Sequence, residues 1–199
     1  MSIKVLIVFY SRYGSTRALA DEIAFGIDSV TDCEAVLRQV PPVTDALGQS
    51  APAVPDTGCP YVTLQDLKDC DGLMLGSPTR FGNMSAPLKY FLDSTSADWL
   101  AGTLTGKPAG VFTSTSSMHG GQESTLLTMA IPLIHHGMVL VGVPYSVPEL
   151  SATRSGGTPY GSSHLAAEQR AISLSADEVA ICRAHGSRVA NIARKLQSG

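Results

Sequence analysis

The chain has 199 residues, 44% of them hydrophobic and 16% charged, with a formal net charge of −3. That is enough apolar material to bury a sizeable core. A charge this close to neutral, with no run of Lys and Arg, argues against nucleic acid or an anionic membrane as a partner and favours small-molecule chemistry.

In chain order, Ile3 to Tyr10 (IKVLIVFY) is an almost unbroken apolar run and is predicted to be a strand buried on both faces. It has the length of a secretory h-region. No small-x-small cleavage site follows, however, and the chain passes straight into the polar SRYGST and an amphipathic helix over Ser15 to Val30. Cys33 to Val40 alternates in part, as an edge strand does. Pro41 to Pro60, rich in Pro, Ala, Gly, Ser and Asp and without periodicity, reads as a surface insertion. A short helix at Thr63 to Cys70, a strand at Gly72 to Gly76 and a helix at Ala86 to Leu92 come next. They are followed by a strand at Ala109 to Thr113, a helix at Glu123 to His136 and a strand at Met138 to Val143. Tyr145 to Gln169 is a second long loop, and Ser175 to Leu196 a last helix. No other apolar run reaches the ~18–20 residues needed to span a bilayer.

Five strands alternating with five helices predict an α/β fold: a doubly wound five-stranded parallel sheet with helices on both faces. Neither insertion separates two complete apolar halves, so residues 1–199 are expected to form one domain. The cysteines, Cys33, Cys59, Cys70 and Cys182, have no C-x-x-C spacing. Neither zinc nor a disulfide framework is expected, and reduced thiols suit the cytoplasm.

At SRYGST a parallel strand ends and a helix begins, so the helix's first N–H groups point beyond the strand's carboxyl end, where an anion is favoured. Gly14 allows a close backbone turn, and the hydroxyls of Ser11, Ser15 and Thr16 suit phosphate oxygens. The plainer alternative is that Ser15 or Thr16 simply caps the helix. No G-x-G-x-x-G follows the first strand. GTLTGKP at 102–108 has three residues between its glycines and no Ser or Thr after Lys107, so it is not a P-loop. A mononucleotide phosphate bound without a required lysine or metal remains.

Ligands of an open parallel sheet bind at the carboxyl ends of its strands. The third strand is followed there by GSPTRFGNMSAPLKYFLD and the fourth by TSTSSMHGGQEST, both polar and glycine-punctuated. Ser77-Pro78 is a good turn, Asn83 or Ser85 a good N-cap and Gly120-Gly121 a good flexible corner, but three such loops on one edge favour a site for a planar ring with a phosphate tail.

SRYGST, SPTRFGNMS, LDSTSADW, GGQEST, HHGM and GGTPYG stand in an order and spacing that resembles the WrbA-type NAD(P)H:quinone oxidoreductases, which are flavodoxin-like flavoproteins. The resemblance covers nearly the whole chain. It implies sheet order 2-1-3-4-5, FMN at the carboxyl edge, NADH or NADPH and quinones as substrates, and a homotetramer. By position, Ser11, Arg12, Tyr13, Gly14, Ser15 and Thr16 match the phosphate loop, with Tyr13 also at the nicotinamide site. Pro78, Thr79, Arg80, Phe81, Gly82 and Asn83 match the loop that holds the isoalloxazine ring. Ser114, Thr115, Ser116, Ser117, Met118, His119 and Gly120 match the third flavin loop, although STSSMHGGQE is one residue longer than the family's glycine-rich form. Trp99 matches an aromatic near the substrate.

His135 and His136 end a helical pattern, where an imidazole can interact with the exposed carbonyls. The resemblance makes His135 a flavin contact and leaves His136 structural. His119, His164 and His185 carry no metal or triad pattern. The implied activity is two-electron quinone reduction with ping-pong kinetics. The alternative is a flavodoxin that passes single electrons to a protein partner, for which −3 is a weak acidic surface.

Overall fold

The computed structural model describes residues 2–44, 55, 58–166 and 172–197. The elements run β1 (Ile3–Phe9), α1 (Ser15–Asp28), β2 (Cys33–Gln39), α2 (Leu64–Asp69), β3 (Gly72–Pro78), α3 (Ala86–Asp93) and α4 (Ser96–Leu100). They continue with β4 (Pro108–Thr115), α5 (Gln122–His135), β5 (Val139–Leu140), α6 (Glu149–Ala152), β6 (Ser162–Leu165) and α7 (Ala176–Gln197). The sheet is parallel with order β2-β1-β3-β4-β5, and β6 also pairs with β4. The doubly wound architecture is therefore the expected one, with one strand more than predicted.

That strand arises because the fifth position is split. Pro108 and Ala109 pair with β5, the chain then leaves the sheet, and it returns as β6 beside Phe112 to Thr115. The predicted strand Met138–Val143 is thus only two residues long, and the predicted loop 145–169 contains α6 and β6. The sequence SSHL is too polar to announce a strand, and α4 and α6 are too short to show periodicity. Most of the predicted insertion at 41–60 lies outside the described residues.

Alternation along β1 divides the core. Leu6 and Val8 join Leu88, Leu126, Met129 and Leu133 on the face covered by α3 and α5. Val5, Ile7 and Phe9 join Leu19, Ile23, Ile27, Val189 and Ala190 on the face covered by α1 and α7. Each such side chain contributes about 1.5–3 kcal/mol when fully buried. On the second face α1 and α7 touch backbone to backbone: a Cβ on Gly26 would stand 2.1 Å from the Arg183 carbonyl oxygen, and one on Gly186 2.2 Å from that of Ile23. Because all strands point one way, the loops after β1, β3 and β4 leave the same edge.

Candidate active site

The first loop is built around Gly14, whose φ of 98° is left-handed backbone that glycine adopts without strain. The Ser11 hydroxyl oxygen accepts from the Gly14 and Arg17 amides, each at 3.2 Å. Neither Ser15 nor Thr16 caps the helix: the residue before α1 is Gly14, with no side-chain cap, so the plainer reading of these hydroxyls fails. Thr16 instead meets the Ser114 hydroxyl at 3.0 Å. Ser15 and Thr16 are buried and lead α1, so their amides precede the intrahelical ladder, and no acidic residue stands in the first turn. An anion placed there meets amides and hydroxyls and no carboxylate from the helix. The Arg12 guanidinium lies 5.2 Å from the centre of the Tyr13 ring, which is half exposed.

The second loop is a tight turn. Arg80 and Asn83 exchange backbone hydrogen bonds of 2.8 and 3.0 Å, and Phe81 and Gly82 between them have φ of 53° and 76°. Both central residues at positive φ make this a primed turn. Holding phenylalanine there costs about 1–2 kcal/mol, and the ring gains no burial in return, since Phe81 projects fully into solvent. Strain of this kind accumulates at binding sites. Arg80 donates to the Thr79 carbonyl at 2.7 Å, which holds its charge beside the loop.

The third loop leaves β4 at Thr115. Ser116, Ser117, Met118, His119 and Gly120 are all exposed, and His119 has a φ of 53°. The loops are tied together: the Thr79 amide donates to the Ser114 carbonyl at 2.9 Å, and Thr125 Oγ1 donates to Thr79 Oγ1 at 2.8 Å. Ser114 and Thr115, like Pro78, belong to the strands and carry the loops rather than forming them.

Sequence reasoning missed the supports behind these loops. Gln122, buried at the start of α5, accepts from the His119 amide at 2.9 Å and reaches the Ser163 hydroxyl and the Ser155 carbonyl at 3.4 Å. Every polar side chain of β6 has a buried partner: Ser162 with His185, Ser163 with Gln122 and Gly157, and His164 with Glu178. Only Glu178 had a signal, the S-x-x-E capping box opened by Ser175.

Trp99 lies on α4 and His135 ends α5. The indole Nε1 donates to the His135 carbonyl at 2.7 Å, at the far end of a 14-residue helix that spans about 21 Å from the loop edge. They line a mostly apolar cavity of about 540 Å³ together with Asn83, Leu92, Thr95 and Ile131. His136 behind them is buried and donates from Nε2 to Thr95 Oγ1, whose own hydrogen goes to the Leu92 carbonyl. Burial lowers its pKa and keeps it neutral.

The loop geometry fits FMN. The amide-lined turn at Gly14 suits a phosphate, and the edge bounded by Phe81 and Ser116–Gly120 suits a flat heterocycle. The family described as NADPH-dependent FMN reductase matches residues 4–150. The chain is 44% identical to an NAD(P)H dehydrogenase (quinone) of Syntrophobacter fumaroxidans, over 97% of this chain and 98% of that protein. It is 43% identical to one of Geobacter sulfurreducens, over 96% and 98%. Among solved structures, a WrbA-like flavodoxin of Agrobacterium tumefaciens superposes with a TM-score of 0.69 at 25% identity, covering 98% of this chain and 99% of that one.

Proposed function

This chain belongs to the NADPH-dependent FMN reductase family, and on that premise we propose that it is an FMN-dependent oxidoreductase carrying electrons from NADH or NADPH to quinones. The observation that carries this reading is the meeting of three loops at one sheet edge, cross-tied through Ser114 to Thr16 and to Thr79. Bound FMN supplies two-electron transfer between a reduced nicotinamide and a quinone, so no acid, base or nucleophile is asked of the protein.

The protein's own part is to bind and orient. Gly14, Ser15 and Thr16 receive the phosphate. Thr79, Phe81 and the 116–120 loop hold the edges of the ring, while Arg80 places a positive charge near it. Tyr13 and Phe81 form the aromatic walls of an open side on which NAD(P)H and quinone take turns, which gives ping-pong kinetics.

Trp99 and His135 act on a neighbouring chain's site within a homotetramer. An exposed apolar stripe on α5 supports this: Leu127, Ile131 and Ile134 are each about half exposed. In this reading residues 1–199 work as one flavodoxin-like unit. The four free thiols support a cytoplasmic location, and a net charge of −3 favours small molecules over nucleic acid or membrane as partners.

The test is flavin released by heat from purified protein, together with steady NAD(P)H oxidation in the presence of a quinone. FMN and sustained turnover are expected. Bound FMN without sustained turnover makes the protein a flavodoxin-type carrier, and no bound FMN removes the reading altogether.

A further inference from the structure

We propose that His136 is a positioning residue for the quinone side of the site: by donating to Thr95 it holds α4, and with it Trp99, in a fixed place against the end of α5. The inference rests on the reading that Trp99 serves quinone reduction. α4 has five residues, Ser96–Leu100, and no side-chain hydrogen bond at its N-cap, Thr95. A helix this short has no stability of its own and takes its place from what holds it. Two hydrogen bonds hold it against α5, and both end on consecutive residues. The Trp99 indole donates to the His135 carbonyl at 2.7 Å, and His136 Nε2 meets Thr95 Oγ1 at 3.0 Å. Thr95 and Trp99 are four residues apart and joined by the Trp99 amide, which donates to the Thr95 carbonyl at 2.9 Å, so the two anchors lie on one side of the same turn.

Both partners of the His136 bond are themselves fixed. Gly137, at a φ of 75°, ends α5, and the amides of Met138 and Gly137 fold back on the carbonyls of Leu133 and Ile134 at 3.1 and 2.9 Å. The His135 carbonyl, the last of the helix, takes the indole instead. On the other side, the amide and the hydroxyl of Thr95 both donate to the Leu92 carbonyl, at 3.1 and 2.7 Å. With that hydroxyl hydrogen engaged, His136 supplies the hydrogen of the 3.0 Å contact from Nε2, and its Nδ1 is left as an acceptor.

His136 and Thr95 are 8% and 2% exposed. Among the described residues, His136 Nδ1 is the one buried side-chain nitrogen or oxygen without a hydrogen-bond partner. An apolar side chain of similar size would fill this corner without burying an unpaired acceptor, so packing alone does not account for an imidazole here, whereas its bond to Thr95 does. Asp98, the buried polar residue within α4, bonds to the Thr103 hydroxyl at 3.4 Å and faces Lys68 at 4.0 Å, which ties α4 to the following turn and to α2 rather than to α5. Thr95 and His136 also line the same cavity as Trp99 and His135, so loosening this bond moves the wall of that cavity.

The chain has a single tryptophan, so its fluorescence reports Trp99 alone. The experiment compares FMN-loaded wild type with His136→Leu, which fills the corner without a donor, and with His136→Gln, whose amide nitrogen donates from about the place of Nε2. All assays are run near pH 8, where an ordinary imidazole is already neutral. In His136→Leu, kcat/KM for 1,4-benzoquinone should fall about fivefold and Trp99 should become more open to acrylamide quenching, while the Kd for FMN stays within about twofold of wild type. His136→Gln should recover both. Unchanged quenching and turnover in the Leu variant overturn the inference and leave the FMN reading intact. Greater quenching with unchanged turnover also overturns it, by removing Trp99 from the substrate side, and a loss that the Gln variant shares in full reduces His136 to packing. A wild type without bound FMN or sustained turnover brings down the functional reading and the inference together. If His136→Leu misfolds, Thr95→Val, which keeps the side-chain shape and deletes the acceptor, takes its place with Thr95→Ser as the rescue: the same losses are expected, and their absence overturns the proposal.

Discussion

Trp99 donates its indole hydrogen to the backbone carbonyl of His135 at 2.7 Å, which binds α4 to the last turn of α5 at the end of that helix remote from the loop edge. Trp99, expected near the substrate, and His135, expected at the flavin, thus form one unit, and the cavity they line is also lined by Asn83 of the second loop.

Trp99→Phe keeps the aromatic area and removes the hydrogen bond. We expect quinone turnover to fall several-fold while FMN affinity changes less than twofold, because the phosphate and ring loops are untouched. Sedimentation velocity alongside activity across dilution separates the causes. Turnover that survives in a dissociated monomer contradicts a shared site.

Gly14→Val should weaken FMN binding at least tenfold, about 1.4 kcal/mol. It should also lower the stability of the flavin-free protein by about 1–2 kcal/mol, since a branched residue is strained at a φ of 98°. The added Cβ further meets the Ile172 side chain at 3.2 Å. Urea unfolding of the apo form measures the second effect and flavin titration the first. Unchanged FMN affinity places the phosphate elsewhere.

Thr125→Val deletes the hydroxyl that donates to Thr79 while keeping its shape inside α5. A buried neutral hydrogen bond contributes about 1 kcal/mol, so a loss of that size is expected in chemical denaturation. Because Thr79 carries the ring loop, FMN should dissociate several-fold faster, as stopped-flow fluorescence would record. A stability loss with no change in flavin release means that the two loops are not coupled through this contact.

Acid should unfold the protein through His185. Its Nε2 donates to the Val141 carbonyl at 2.9 Å, its Nδ1 accepts from Ser162, and burial holds its pKa at about 4 against 6.5 when unfolded. A lowered folded pKa means that the unfolded chain binds the proton more tightly. The stabilisation is therefore complete above about pH 6.5 and is lost as pH falls toward about 4, with an upper bound of about 3 kcal/mol. His136, lowered in the same direction, adds to the slope. Melting temperatures across this range test the prediction, and a flat profile refutes it.

The sequence alone determined what local pattern can carry. The unbroken apolar run of β1 demanded burial on both faces, the 3.6-residue periodicity of α1, α5 and α7 fixed their inner faces, and parallel strands ending in SRYGST, TRFGN and STSSMHGG put three ligand-ready loops on one edge. These features depend on near neighbours, and near neighbours are what a sequence displays. Only the tertiary structure decided that Ser162, Ser163 and His164 form a strand. Polar residues rarely pay the cost of burial alone, and these are stable inside because His185, Gln122 and Glu178, from distant parts of the chain, meet them there. In the same way the GGQE corner announced a loop, whereas the fold alone revealed Gln122 bracing it from behind and Trp99 bonded to His135. Those contacts span tens of residues, and no period or spacing in the sequence records them.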